Sequence, residues 1–239
     1  MPLDSSIKVM LLDIEGTTTP IDFVYQVLFP YARHHLAAYL AAHWNDAQAD
    51  RAALQSEHAA DVQQGLQPPS LDTAQLDSVV AYLHWLMERD RKTTPLKSLQ
   101  GKVWEAGYKS GALKSQVFAD VPTAFARWQQ QQKRISIFSS GSVLAQKLLF
   151  SYTEDGDLSR CISGWFDTNI GAKRAAESYR RIAAALQCEP NEIAFLSDVT
   201  AELAAARAAG MQPILSLRPG NPLQADAEDF TSVNTLDEL

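Results

Sequence analysis

Lys8-Val9-Met10-Leu11-Leu12-Asp13-Ile14-Glu15-Gly16-Thr17-Thr18 is an apolar run that stops abruptly in two acids, a glycine and two threonines. A short run rich in Val, Leu and Ile reads as a strand buried on both faces, the habit of parallel sheets. Acids at its carboxyl end then sit where open α/β sheets bind ligands, just past the strand tips. Asp13 and Glu15 alternate with Ile14, so a near-extended backbone aims both carboxylates to one side. Taken alone, the stretch is equally a strand followed by a polar turn. Three further stretches decide between the two.

The chain around it has 239 residues, enough to bury a core without disulfides or metal. A formal charge of -7 argues against nucleic acid or an anionic membrane as partner, since both need a basic surface. A small phosphorylated ligand needs only local positive potential and stays open. Cys161 and Cys188 show no CxxC spacing and read as free thiols. Met1-Pro2-Leu3-Asp4-Ser5 lacks the basic and apolar regions of a signal peptide, and no apolar run approaches a membrane span. A cytoplasmic chain with no membrane contact is expected, and a monomer.

Pro20 to about Ser110 is helix-rich. Phe23, Val27, Leu28, Tyr31, Leu36, Tyr39 and Leu40 recur at helical spacing, with Pro30 marking a break or kink. An Ala- and Gln-rich helix follows, interrupted at Gly65 and Pro68-Pro69. Asp72 with Gln75 reads as a capping box, and Leu71 with Leu76 as a staple, for a helix reaching about Asp90. Another helix is expected over Leu96–Ser110, its end bracketed by Gly107 and Gly111. All five histidines (His34, His35, His43, His58, His84) fall in this region, away from any strand end, and read as ordinary polar positions on helices.

After Asp120 strands and helices alternate. Strands are expected at Ile135–Ser139, Trp165–Asp167, Ile193–Ser197 and Pro213–Leu217, with helices after Pro122, from Val143 to about Tyr152, from Lys173 to Leu186, and over Thr200–Ala209 before Gly210. Right-handed crossovers then give an α/β fold, a doubly wound parallel sheet with a Rossmann-like core. Residues 1–20 and 112–239 form that core, and 21–111 a helical domain inserted after the first strand.

Four strand ends carry the chemistry. The first offers Asp13 and Glu15. The second offers Ser139 and Ser140 beside Gly141, at a helix start where backbone N–H groups also point outward. The third offers Lys173, and the fourth Asp198 with Glu202. Each has an ordinary explanation: helix caps for the serines and Asp198, a solvated lysine in a first helical turn. In one structural role and with complementary charge, they point to a shared site. Carboxylates without a nearby His or Cys suit a hard cation that keeps its waters, Mg2+ above all. Hydroxyls, helix amides and a lysine are what the outer oxygens of a phosphoryl group require. A carboxylate nucleophile then takes the phosphoryl group, and a second acid gives and takes the proton. This is the logic of a metal-dependent phosphatase.

With those residues in view, the chain resembles the haloacid-dehalogenase superfamily of phosphotransferases. Asp13-Ile14-Glu15-Gly16-Thr17 is similar to its first motif, the Ser139 segment to the second, Lys173 to the third, and Asp198 with Glu202 to the fourth. The helical insertion resembles a cap of the kind placed after the first motif. One departure stands out: the family's usual second acid is Asp, and here it is Glu15. That feature, with Leu99-Gln100-Gly101, Phe138–Val143, Gln146–Phe150, Phe166-Asp167-Thr168 and Phe195–Val199, resembles the enolase-phosphatase branch of methionine salvage.

The resemblance implies a substrate, 2,3-diketo-5-methylthiopentyl-1-phosphate, enolised and then dephosphorylated to an acireductone. It implies Asp13 as nucleophile, Glu15 as general acid/base and Lys173 as the third catalytic group. Mg2+ is then held by the Asp13 carboxylate, the Glu15 backbone carbonyl and Asp198, and the phosphate by Ser139, Ser140 and Lys173. The base for enolisation is not identified; Glu15 is the nearest named candidate and a cap side chain the rival. Three other readings stay open on the residues: a phosphatase of another small metabolite, a phospho-accepting regulatory domain without turnover, and a dehalogenase that needs neither metal nor an acid at position 15.

Overall fold

The structure, a computed structural model, describes residues 3–239. The elements begin with β1 (Val9–Leu12), α1 (Phe29–Ala42), α2 (Gln48–Gln63), α3 (Leu76–Glu88), α4 (Thr94–Ser110), α5 (Val121–Gln130) and β2 (Arg134–Phe138). They continue with α6 (Val143–Ser151), β3 (Ile162–Phe166), α7 (Ala176–Leu186), β4 (Ile193–Ser197), α8 (Thr200–Ala208), β5 (Gln212–Ser216) and β6 (Thr231–Val233). The chain divides into two compact units. One runs to Val24 and resumes over Lys114–Leu239; the other is Tyr25–Leu113.

In the larger unit the described strands form one six-stranded parallel sheet, ordered β3-β2-β1-β4-β5-β6. The chain builds outward from β1 through β2 to β3, then returns to the other side of β1 for β4, β5 and β6. The reversal between β1 and β4 opens a crevice at their carboxyl ends, the usual ligand position in such sheets. Register brings the right residues there. Leu12 pairs with Ile137 on one side and Leu196 on the other, so Asp13, Ser139 and Asp198 follow at neighbouring tips.

Burial explains the strand sequences. All of β1 is fully buried, which a continuous apolar run tolerates and an alternating one does not. Val9 and Leu11 join Phe195, Tyr179, Ile182, Leu203 and Ala206 in one core cluster with α7 and α8. Tyr179 meets Phe138 and Phe195 edge-on at 5.5 and 5.0 Å. Elsewhere in this unit Phe125 of α5 packs with Trp128 and with Phe150 of α6.

The smaller unit is helical. α1 packs on α3 and α4, and α2 on α4, burying Leu36, Leu40, Leu54, Val79, Leu83, Leu86, Leu99 and Val103. Asp61 is fully buried there but satisfied: it accepts from Tyr82 Oη at 2.6 Å and pairs with Arg91 at 2.8 Å. Of the histidines, His35, His58 and His84 bond to backbone oxygens of Tyr31, Pro69 and Arg33 within the same unit.

Several local expectations need correction. Pro30 interrupts the helical run without ending it: a π-helical segment, Phe23–Leu28, gives way directly to α1, and the proline lies in the first turn of α1. Asp72 caps no helix. It closes the preceding turn by accepting from Ala74 N, so α3 starts a turn later without a side-chain cap. Gly107 lies inside α4 and does not end it. A Cβ there would meet the Tyr31 ring at 2.7 Å, so the glycine marks a close approach. Strand β6 was not expected, because three residues carry too little pattern, and β3 starts earlier than expected because Ser163 and Gly164 dilute its signal. Lys173 does not open α7, which begins at Ala176. Among the described residues no helix is long and apolar enough to cross a membrane, and Cys161 and Cys188 are free thiols.

Candidate active site

Asp13 follows β1 directly and is 3% exposed. Its backbone N–H still belongs to the sheet, donating to Leu196 O at 2.9 Å, while its Oδ1 accepts from Ile14 N at 2.7 Å. The chain then turns instead of staying extended. Ile14 O accepts from the N–H groups of Thr17, Thr18 and Thr19, and Gly16 N bonds to Thr19 O. Glu15, half-buried, is carried in this turn with its backbone bridged to Thr19. The turn thus spans Ile14 to Thr19, immediately after Asp13. Gly16 is required by the turn: its φ is +69°, and a Cβ would lie 2.5 Å from Asp198 Oδ2.

Lys173 reaches the same place from the loop before α7. Its Nζ lies 2.7 Å from Asp13 Oδ1 and 2.7 Å from Glu202 Oε2. The loop is held by the helix after it, where Ser178 Oγ donates to Ala172 O at 2.7 Å and Tyr179 Oη to Lys173 O at 2.6 Å. Burial alone would lower the Lys173 pKa, but Asp13 and Glu202 outweigh it and hold the ammonium above its ordinary value. Ser197 completes the arrangement by donating to Glu202 Oε2 at 2.9 Å, with Asp13 Oδ2 at 3.4 Å.

Asp198 closes the other side, just past β4. Burial first, then the Asp13 charge, pushes its carboxyl up to about 7, with Lys173 opposing. Burial and Asp13 likewise raise Glu202. Asp13 and Glu202 thus share a single ammonium with Asp198 close by, a surplus of acidic groups that a bound cation would relieve. The donors are all oxygens. Among the described residues no cluster of three or more His, Cys, Asp and Glu could enclose a metal by itself. A hard divalent cation that retains water and takes substrate oxygens fits such a donor set.

The serine loop follows β2. Ser139 is 1% exposed; its N–H donates to Phe166 O and its Oγ accepts from Gly141 N at 3.2 Å. The cap of α6 is Ser142, whose Oγ accepts from Ala145 N at 3.3 Å. Neither Ser139 nor the half-buried Ser140 is used as that cap. Gln146 Nε2 fixes the loop from below, donating to Gly141 O at 2.9 Å and Phe166 O at 2.8 Å. Asp167 accepts from Val143 N and Asn169 N.

The structure thus brings Asp13, Lys173, Glu202 and Asp198 together, puts Glu15 in the turn between Asp13 and Gly16, and sets Ser139 and Ser140 on the adjacent tip. The sequence alone assigned no role to Ser197, which bonds to Asp13 and Glu202, or to Gln146 and Asp167, which brace the loop before α6. No local pattern marks a bracing role; Asp167 and Ser197 read only as strand ends, and all three fell within the resemblance segments.

A doubly wound sheet with a buried carboxylate, an ion-paired lysine and a second acid at its strand tips is an arrangement suited to phosphoryl transfer. Residues 7–210 match the model of the haloacid dehalogenase-like hydrolases, and the chain belongs to that family. It is 53% identical to Enolase-phosphatase E1 of Synechococcus elongatus over 243 aligned residues that cover all of both chains. It is 46% identical to Enolase-phosphatase E1 of Drosophila virilis, covering 98% of this chain and 97% of that one. Among solved structures, the UTR4 protein of Saccharomyces cerevisiae superposes with a TM-score of 0.79 at 35% identity, covering 98% of this chain and 100% of that one.

Proposed function

We infer that the chain is an enolase-phosphatase, the activity in the name of its full-length relatives, and that it acts in methionine salvage. The substrate in this reading is 2,3-diketo-5-methylthiopentyl-1-phosphate, and the products are an acireductone and phosphate. The observation that carries it is the Asp13 carboxylate, buried at a strand tip and bonded to Lys173 at 2.7 Å.

The phosphoryl group is held by Lys173 together with Ser139 and Ser140 of the loop that leads into α6. The reaction opens with loss of a proton from the carbon beside a carbonyl, for which Glu15 is the proposed base. Asp13 then attacks phosphorus, forming an aspartyl phosphate as the bond to the leaving oxygen breaks. Glu15 gives that oxygen a proton and afterwards takes one from the water that hydrolyses the aspartyl phosphate; passing this last proton to the enolate oxygen completes the acireductone and restores both side chains. Mg2+, held by Asp13, Asp198 and the Glu15 carbonyl, would neutralise charge on the phosphoryl and enolate oxygens. Glu202 and Ser197 keep Lys173 and Asp13 in place.

The same reading assigns catalysis to residues 1–20 and 112–239 and a cap role to residues 21–111, in a cytoplasmic monomer. The test mixes purified protein, Mg2+ and the diketo phosphate and follows enol absorbance and free phosphate separately. The enol signal is expected first. Phosphate released with no preceding enol would overturn the two-step reading.

A further inference from the structure

The carbonyls just after Glu15 are held from the far end of the chain. Gly16 O accepts from Asn221 Nδ2 at 2.8 Å and from Ser216 Oγ at 3.2 Å; Thr17 O accepts from Arg218 Nε at 3.1 Å. All three donors lie at the end of β5 or in the segment following it. They are themselves braced. Arg218 is buried, its Nη1 bonded to Asp120 Oδ2 at 2.7 Å and Asn234 O at 3.1 Å, its guanidinium 4.4 Å from the Phe118 ring centroid. Asn221 Nδ2 also reaches Ser216 O at 3.3 Å, which fixes which end of its amide faces Gly16.

The turn does not need these bonds to close, since its own backbone bonds to Ile14 O and Thr19 O already do so. What the turn lacks is stiffness at Gly16, a residue with no side chain to steer its backbone. Freed from its carbonyl partners, the Gly16–Thr17 peptide plane keeps only the bond from Thr17 N to Ile14 O, and a shift there would pass through Gly16 to the Glu15 backbone. We propose that Ser216, Arg218 and Asn221 are positioning residues for Glu15, clamping the glycine turn so that the carboxyl group meets the leaving oxygen. This rests on the acid/base role given to Glu15 above.

The test exploits leaving-group chemistry. The diketo phosphate departs through an oxygen that needs a proton, whereas p-nitrophenyl phosphate departs as a stable anion without one. Full-length Asn221→Ala, Ser216→Ala and the double variant are assayed with Mg2+ on both substrates, with melting curves as a check on folding. On the diketo phosphate kcat is expected to fall about tenfold for Asn221→Ala and about a hundredfold for the double variant, with KM little changed. On p-nitrophenyl phosphate the rate of first-turnover p-nitrophenolate release, which precedes the Glu15-assisted hydrolysis of the aspartyl phosphate, is expected to change by no more than about threefold. Adding Asn221→Ala to Glu15→Gln is expected to cost little more than Glu15→Gln alone, because both act through one proton transfer. Equal losses on the two substrates, or full additivity with Glu15→Gln, would overturn the clamp. A wild-type chain that turns over neither substrate would sink the phosphatase reading and the clamp with it. Should Asn221→Ala fail to fold, Ser216→Ala removes a single hydroxyl and carries the same comparison.

Discussion

The Lys173 ammonium and the Asp13 carboxylate form an ion pair at 2.7 Å in which both side chains are at least nine-tenths buried. Removing one partner of such a pair strands the other. Lys173→Met would leave Asp13 and Glu202 facing each other without a cation, a loss on the order of 3–5 kcal/mol. Urea unfolding near neutral pH is expected to show it; a loss below about 1 kcal/mol would mean that the pair contributes little. Because the folded-state pKa of Lys173 is raised, its contribution is complete below the ordinary lysine range and fades only as pH rises above it.

The extra methylene of Glu15 carries the link to enolisation. Glu15→Asp is expected to slow enol formation from the diketo phosphate more than hydrolysis of an aryl phosphate, since a shorter side chain falls short of the substrate carbon first. Separate rates for the two reactions give the answer, and equal losses would remove Glu15 as the enolising base.

Gly16→Ala places a methyl group 2.5 Å from Asp198 Oδ2 and 2.9 Å from Asn221 Oδ1 while forcing an alanine to a φ of +69°. Strain of about 1–3 kcal/mol is expected from the backbone alone. The displaced Asp198 should also weaken Mg2+ binding at least tenfold, measured by titration calorimetry. Wild-type affinity in a folded variant would show that Asp198 does not hold the metal.

Gly107→Ala tests the helical unit by itself. The new Cβ would meet the Tyr31 ring at 2.7 Å, and a packed interior yields to such overfilling at a cost of about 1–3 kcal/mol. A lowered denaturation midpoint at unchanged slope is the expected result, and a neutral outcome would mean that Tyr31 swings clear without penalty.

Legibility in the sequence followed the range of the interaction involved. The strand Val9–Leu12 announced itself through continuous apolar residues, and β4 did so likewise, because burial on both faces leaves no room for alternation. Gly210 after α8 was equally plain. Lys173 sits in a loop and not in the first turn of α7, because that loop is held by Ser178 and Tyr179 hydroxyls that no propensity reveals. The serine loop was read with caps in mind, yet the hydroxyl that caps is Ser142.

By itself, then, the sequence determined a doubly wound sheet with acids, serines and a lysine at its strand tips and a helical insertion after the first strand. Those features depend on periodicity and on residue type, which are local. Only the tertiary structure decided that Asp13 and Glu202 share Lys173, that Ile14 to Thr19 closes into a turn, and that Ser216, Arg218 and Asn221 hold that turn from the other end of the chain. These are contacts between residues far apart in sequence. Strand order creates them, and side-chain burial gives them their strength.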